Sequence, residues 1–169
     1  ERETRFLSRF DNDYFPRFIE VKSEVKYSVI SFKKIESQSL QDALPHINSS
    51  ITELYNFIQH CLNMLMELKE KGVSHRNIRR DNVFMQDGKP VLLDFSWAIS
   101  EHDTYFSPLG LGGYERSPDA LFSDVYSMGK ILEYVNRQHY RPFDWVISLM
   151  TMEDASLRIT DLVVLRTLF

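Results

Sequence analysis

The stretch from Ser50 to Gly72 is the most sharply specified element of this chain. Ser50-Ile51-Thr52-Glu53 has the form of a capping box, in which the serine hydroxyl accepts from the backbone N–H three residues on and the glutamate reaches back. Behind it, Ile51, Leu54, Tyr55, Ile58, Leu62, Leu65 and Leu68 recur at helical spacing and make one apolar stripe. Gly72 supplies a left-handed stop. Cys61, Met64 and Met66 on the same helix read as core filler rather than as a reactive or metal-binding set.

Other elements are arranged around that helix. Residues 1 to 10 are helical, with Phe6, Leu7 and Phe10 at helical spacing. Phe15-Pro16-Arg17-Phe18-Ile19-Glu20-Val21 and Tyr27-Ser28-Val29-Ile30-Ser31-Phe32 have the β-branched and aromatic content of strands. After the long helix, Asn82-Val83-Phe84-Met85 and Pro90-Val91-Leu92-Leu93-Asp94 form a hairpin, and Asp87-Gly88 signals its turn. Residues 96 to 119 read as loop, with Pro108, Gly110, Gly112, Gly113 and Pro118. A helix from about Ser123 to Asn136 is expected to bury Val125, Met128, Ile131, Leu132 and Val135. Two more helices follow, from Phe143 to Met150 and from Asp161 to Leu168. There is no internal repeat, low-complexity tract or linker.

Composition limits the partners. The chain has 169 residues, 43% of them hydrophobic, which is enough for one domain with a core. A net charge of −4 disfavours a grip on nucleic acid. The lone Cys61 excludes an internal disulfide, disfavours a thiolate zinc site and fits a reducing compartment. No run approaches the roughly 18 apolar residues of a membrane span. No signal-peptide pattern is present, so a cytoplasmic location is expected. The chain begins with Glu1 rather than Met, and a piece of a longer, multidomain protein is expected.

The order long helix, polar loop, tight hairpin and acidic turn carries the chemistry. His75-Arg76-Asn77-Ile78-Arg79-Arg80-Asp81-Asn82 resembles the protein-kinase catalytic loop, His-Arg-Asp-Leu-x-x-x-Asn. Asp94-Phe95-Ser96 resembles Asp-Phe-Gly, and Ser117-Pro118-Asp119 is similar to Ala-Pro-Glu. Ser123-Asp124-Val125-Tyr126-Ser127-Met128-Gly129 resembles the Asp-Val-Trp-Ser-x-Gly helix, and Arg158 matches the late arginine of that fold. The resemblance covers almost the whole chain in the family's order. It implies an α+β, protein-kinase-like fold: a remnant of the N-lobe over 1–36 and a mainly helical C-lobe with a short β-hairpin over 37–169.

The resemblance also implies roles. Asp94 would be the main ligand of Mg2+ and Asn82 the second, and ATP the nucleotide. Hard oxygen donors with only one or two protein carboxylates suit magnesium. The alternative is that Asn82 satisfies loop backbone groups and Asp94 caps the turn. Arg79 stands where a lysine usually faces the transferring phosphate; it is either that or a solvated arginine, while Arg80 is expected to face solvent. His75 is a packing residue under Phe95, and Arg76 supports the loop. Asp124 accepts backbone N–H groups of the loop and stays ionised, or else caps its own helix. Glu3 is the ion-pair candidate or a solvated glutamate. Ser31, Phe32 and Lys33 lie where an adenine would meet hinge backbone, and Ile35 to Leu40 resembles the connection to the next helix.

Three features depart from the pattern. Asn77 replaces the catalytic aspartate, and an amide cannot take a hydroxyl proton; general acid–base help is worth about 10²- to 10⁴-fold. It is either natural, making a pseudokinase that acts as a regulatory or interaction module, or an engineered inactivating change. No glycine-rich phosphate loop or strand lysine is visible, and Ser96 would stiffen a turn that glycine leaves free. Only Arg137 to Pro142 joins the Asp124 helix to the Phe143 helix, and the segment from Asp94 to Asp119 is short. These absences favour a small-molecule or glycan acceptor over a protein. By analogy, they point to compact bacterial kinase modules linked to surface-polysaccharide methyltransferases.

Overall fold

The computed structural model describes residues 2–100, 103, 123–137 and 141–169. Ser117-Pro118-Asp119, Pro108, the glycines 110, 112 and 113, and residues 138–140 of the short connection lie outside them. Helix α1, Arg2–Leu7, leads to the hairpin β1, Phe18–Ser23, and β2, Ser28–Phe32. Strand β3, Gln38–Ser39, runs into α2, Leu40–Ile47, and then α3, Ile51–Glu70. β4, Val73–Ser74, follows, then β5, Val83–Gln86, β6, Lys89–Leu92, and β7, Ile99–Ser100. Helices α4, Asp124–Val135, α5, Asp144–Met150, and α6, Leu162–Leu168, complete the described chain. The strands form three small antiparallel sheets, β1-β2, β3-β5-β6 and β4-β7, so the architecture is α+β.

Helix α3 is the centre of the core. Its start is capped by the Ser50 hydroxyl, which accepts from the Glu53 N–H at 3.1 Å, while the Glu53 carboxylate lies 3.8 Å from His46 rather than closing the box. Gly72 ends it at φ +59. The buried face differs from the expected stripe. Ile51 and Tyr55 are exposed, whereas Phe57, Cys61 and Met64 are buried with Leu54, Ile58, Leu62, Leu65 and Leu68. The reason is geometric: α2, α4, α6, β4 and β6 all pack on this helix and leave Ile51 and Tyr55 on its open side. Each such Leu or Phe contributes about 1.5–3 kcal/mol by leaving water.

Helix α2 begins at Leu40, where the connection from Ile35 ends, and it accommodates Pro45 in its last turn. Ser39 caps it by accepting from the Asp42 N–H, and Pro45 is exposed, so the carbonyl that proline leaves unpaired can meet water. The first strand also starts later than expected. Phe15 lies outside β1 and enters an aromatic cluster with Phe10 and Phe95, at centroid distances of 4.2 and 5.5 Å. In the hairpin, Asp87 and Gly88 both have positive φ, the two-residue turn that suits strand twist. Asn82, Leu93 and Asp94 fall outside its strands. Asn82 ends a 3-10 turn, Arg80–Asn82, and Asp94 precedes another, Phe95–Trp97. In α4, Val125 is only half-buried and Tyr126 is buried instead. Among the described residues, no helix is long and apolar enough to cross a membrane.

Helices α4 and α5 meet closely at Gly129. A Cβ there would stand 2.6 Å from Thr151 Cγ2 and 2.9 Å from Met150 Cβ. Gly129→Ala should therefore destabilise the fold by about 1–3 kcal/mol, although alanine is the better helix former by about 1 kcal/mol. Urea denaturation measures it, and a stabilised variant would mean that α5 yields without strain.

Candidate functional site

Strand β4 delivers the polar loop at Ser74, and the first turn of α4 meets it. The Asp124 carboxylate accepts the N–H of His75 at 2.6 Å and of Arg76 at 2.8 Å, with the Ser74 hydroxyl at 3.4 Å. The cap of α4 is Ser123, which accepts from the Tyr126 N–H. Arg76 has φ +61, a conformation that costs a branched or bulky residue energy unless its surroundings hold it. Its guanidinium Nε donates to the Trp97 carbonyl at 3.0 Å. Burial pushes the Asp124 carboxyl up to about 6, and the bonds from His75, Arg76 and Ser74 only partly oppose it. The carboxylate is thus less firmly ionised than hydrogen bonding alone would make it.

His75 is fully buried beneath Phe95, edge to face at 4.6 Å. Its Nε2 lies 3.2 Å from the Leu93 carbonyl, and its Nδ1 accepts the Asn77 N–H at 3.2 Å. Only an unprotonated Nδ1 can accept, so these partners assign the neutral tautomer with its proton on Nε2. Burial pushes its pKa down to about 4, against the pull of the Asp94 charge and the Leu93 carbonyl. His75 thereby links the loop to the strand end that carries Asp94.

Asn77, Asn82 and Asp94 meet. The Asn77 amide donates to Asp94 Oδ2 at 2.6 Å. Asn82 Nδ2 donates to the Asn77 carbonyl at 2.9 Å and lies 3.5 Å from the same Asp94 oxygen. Asp94 Oδ1 accepts from the Ser96 N–H at 3.3 Å and from the Ser96 hydroxyl. Asp94 itself sits at φ +66. Ser96 is not in the left-handed region, so the freedom of a glycine is not used there. Helix α1 packs on this turn, and Glu3 accepts the Phe95 N–H at 3.3 Å. Burial raises the Glu3 pKa, the Phe95 amide lowers it and the nearby Asp94 raises it again.

The remaining residues named from the sequence lie around this centre. Arg79 pairs with Asp81 on the same loop. Arg80 is not simply solvated: its guanidinium stands 4.7 Å over the Tyr134 ring, which Arg137 also approaches at 5.4 Å. Ser31 and Phe32 belong to β2, paired with Glu20 and Phe18. The Lys33 N–H donates to the Arg17 carbonyl at 2.9 Å, so that hinge donor is engaged by the chain. Arg158 is buried, donating to the Met152 and Glu153 carbonyls and lying 4.8 Å over the Tyr126 ring of α4. Sequence reasoning missed Ser96 and Asn77 as donors to Asp94. It also missed Arg5, which bridges α1 to Asp103 at 2.6 Å and Ser100 at 3.2 Å. No local pattern marks such contacts, because Arg5 and Asp103 are far apart in the chain.

One carboxylate, Asp94, and one amide, Asn82, lie side by side, the Asn82 nitrogen 3.5 Å from Asp94 Oδ2; a carboxylate and an amide oxygen are the hard donors that suit a magnesium ion held partly by phosphate. Among the described residues, no three His, Cys, Asp or Glu side chains gather to hold a metal unaided. No family model matches the chain. It is 27% identical over 139 residues to a probable serine/threonine-protein kinase of Dictyostelium discoideum, covering 75% of this chain and 22% of that one. It is 31% identical over 98 residues to serine/threonine-protein kinase C of Synechocystis sp., covering 48% and 18%. A serine/threonine-protein kinase of Myxococcus xanthus is 26% identical over 161 residues, covering 85% and 19%. The relationship is kinase-like and distant. The chain spans about a fifth of the length of these relatives.

Two outcomes follow from the loop's anchors. Asp124→Ala leaves the His75 and Arg76 N–H groups without their acceptor, at about 1–3 kcal/mol each. Urea unfolding should register a loss of about 2–5 kcal/mol, and a change well under 1 kcal/mol would remove Asp124 from this role. The pH dependence has two opposed parts. The folded-state value of His75, about 4, lies below its ordinary 6.5, so stability from this group is lost as pH falls from 6.5 to 4. That of Asp124, about 6, lies above 3.8, so its contribution is present at low pH and lost as pH rises through 6. Each is on the order of 3 kcal/mol. His75→Phe leaves only the second slope, so relative to wild type it should gain stability between pH 6.5 and pH 4. Equal pH slopes in the two proteins would rule out a neutral, buried His75.

Proposed function

We propose that this chain carries the catalytic face of an ATP- and Mg2+-dependent phosphotransferase with a protein-kinase-like fold. One observation supports this reading above the others: Asn77, Asn82 and Asp94 converge on one point, on a loop anchored by Asp124 and a turn anchored by His75. In the reaction, an acceptor hydroxyl oxygen bonds to the γ-phosphorus, the bond to the β–γ bridging oxygen breaks, ADP leaves, and the hydroxyl proton passes to a phosphate oxygen or to water. Asp94 and the Asn82 amide oxygen would hold magnesium, which neutralises charge on the phosphates. Arg79, released from Asp81, can fork onto phosphate oxygens. Asn77 cannot accept the hydroxyl proton, so turnover rests on positioning and is impaired. Residues 1–36 serve as the end of an N-lobe and 37–169 as the C-lobe, with adenine near Ser31, Phe32 and Lys33. The acceptor is a small molecule or glycan, and the protein works in the cytoplasm as one module of a longer chain.

A second reading is favoured by one specific contact. Asp94 is bonded on both oxygens by the chain's own donors, as suits a pseudokinase that keeps the shape of the site for interaction rather than for transfer.

Two measurements on the complete protein separate these. At a hundredfold excess over its dissociation constant, ATP with magnesium adds about 2.7 kcal/mol. A rise in melting temperature is expected with wild type and not with Asp94→Ala. Asn77→Asp should raise ATP turnover by about 10²-fold or more. If Asn77→Asp is as silent as Asp94→Ala, the phosphotransferase reading fails.

A further inference from the structure

We propose that Asn77 determines how strongly this site holds a divalent cation, by occupying with its amide N–H the Asp94 oxygen that the cation would take. The inference rests on the reading of Asp94 and Asn82 as cation ligands. Its ground is one contact: Asn77 Nδ2 donates to the carboxylate oxygen Asp94 Oδ2 at 2.6 Å, a short hydrogen bond. Asn82 does not compete in the same way. Its Nδ2 has a better partner in the Asn77 main-chain carbonyl at 2.9 Å and reaches Asp94 only at 3.5 Å. Ser96 holds the other carboxylate oxygen. A cation on Oδ2 therefore has to displace chiefly the short Asn77 bond, together with the long contact from Asn82.

The two natural substitutions make the consequence sharp. Asn77→Ala removes the amide but keeps the main-chain carbonyl to which Asn82 donates, so the ligand geometry of Asn82 survives. Asn77→Asp sets two carboxylates across the same short distance. Two anions that close repel unless a proton or a cation lies between them. In that variant, cation binding should itself stabilise the fold.

Mn2+, followed by electron paramagnetic resonance in the complete protein, is the probe. Hydrogen bonds to charged groups contribute enough that Asn77→Ala should tighten Mn2+ binding by about tenfold. Asn77→Asp should tighten it further, and its melting temperature should rise with Mn2+ more than that of wild type. Asp94→Asn should abolish the bound signal in each background. If Asp94→Asn abolishes binding while Asn77→Ala binds no tighter than wild type, the role given to Asn77 is wrong and the cation site stands. If Mn2+ binds equally well without Asp94, or binds to none of the proteins, the cation site itself is wrong and this inference falls with it. Should Asn77→Ala not fold, the melting response of Asn77→Asp decides alone: no added stabilisation by Mn2+ overturns the proposal.

Discussion

The carboxylate of Asp124 is the point on which the site depends. It faces two successive backbone N–H groups, those of His75 and Arg76, and the second belongs to a residue in a left-handed conformation. Neither a helix nor a strand can hold such a turn, because it has no repeating hydrogen-bond partner. An acceptor from outside is required, and α4 supplies it. The burial that raises the Asp124 pKa is the cost of that arrangement. The return is a loop whose next residues, Asn77 to Asn82, have fixed directions.

From there the constraint passes to the second loop through His75. Its ring is gripped at both nitrogens, by the Leu93 carbonyl and the Asn77 N–H, and is closed in by Phe95. Phe95 packs in turn on Phe10 and Phe15, and its own N–H is taken by Glu3. A chain of contacts therefore runs from α4 through the polar loop to α1. Segments more than a hundred residues apart in the sequence, α1 and α4, set the position of one carboxylate, Asp94.

That carboxylate is where the structure and the proposed chemistry meet. Its left-handed backbone is tolerable for an aspartate whose side chain bonds locally, here to Ser96. On the other oxygen it meets the Asn77 amide. An amide facing a carboxylate makes a hydrogen bond where a second carboxylate would repel it. That Asn77 acts as this donor could be read only from the 2.6 Å contact.

Much of the local structure was legible. The Ser50 cap, the Gly72 stop, the Asp87-Gly88 turn and the extent of α4 each follow from properties of a few neighbouring residues. Where such properties conflict with their surroundings, the reading went astray. Phe15 was expected in a strand that begins only at Phe18, Val125 was expected in the core and is only half-buried, and the exposed Ile51 and Tyr55 looked apolar enough to be core. Burial is decided by which elements arrive at a surface, and no single segment encodes that. The same division holds at the site. The amino-acid order alone established which side chains were available, that Asn77 lacks basicity and that a turn falls at Asp94. Only the tertiary structure decided that Asn77 donates to Asp94, that Glu3 meets Phe95 and that Lys33 is engaged by Arg17. Those are contacts between residues distant in the chain, and hydrogen bonds of a few ångströms form only after the core has set the distances.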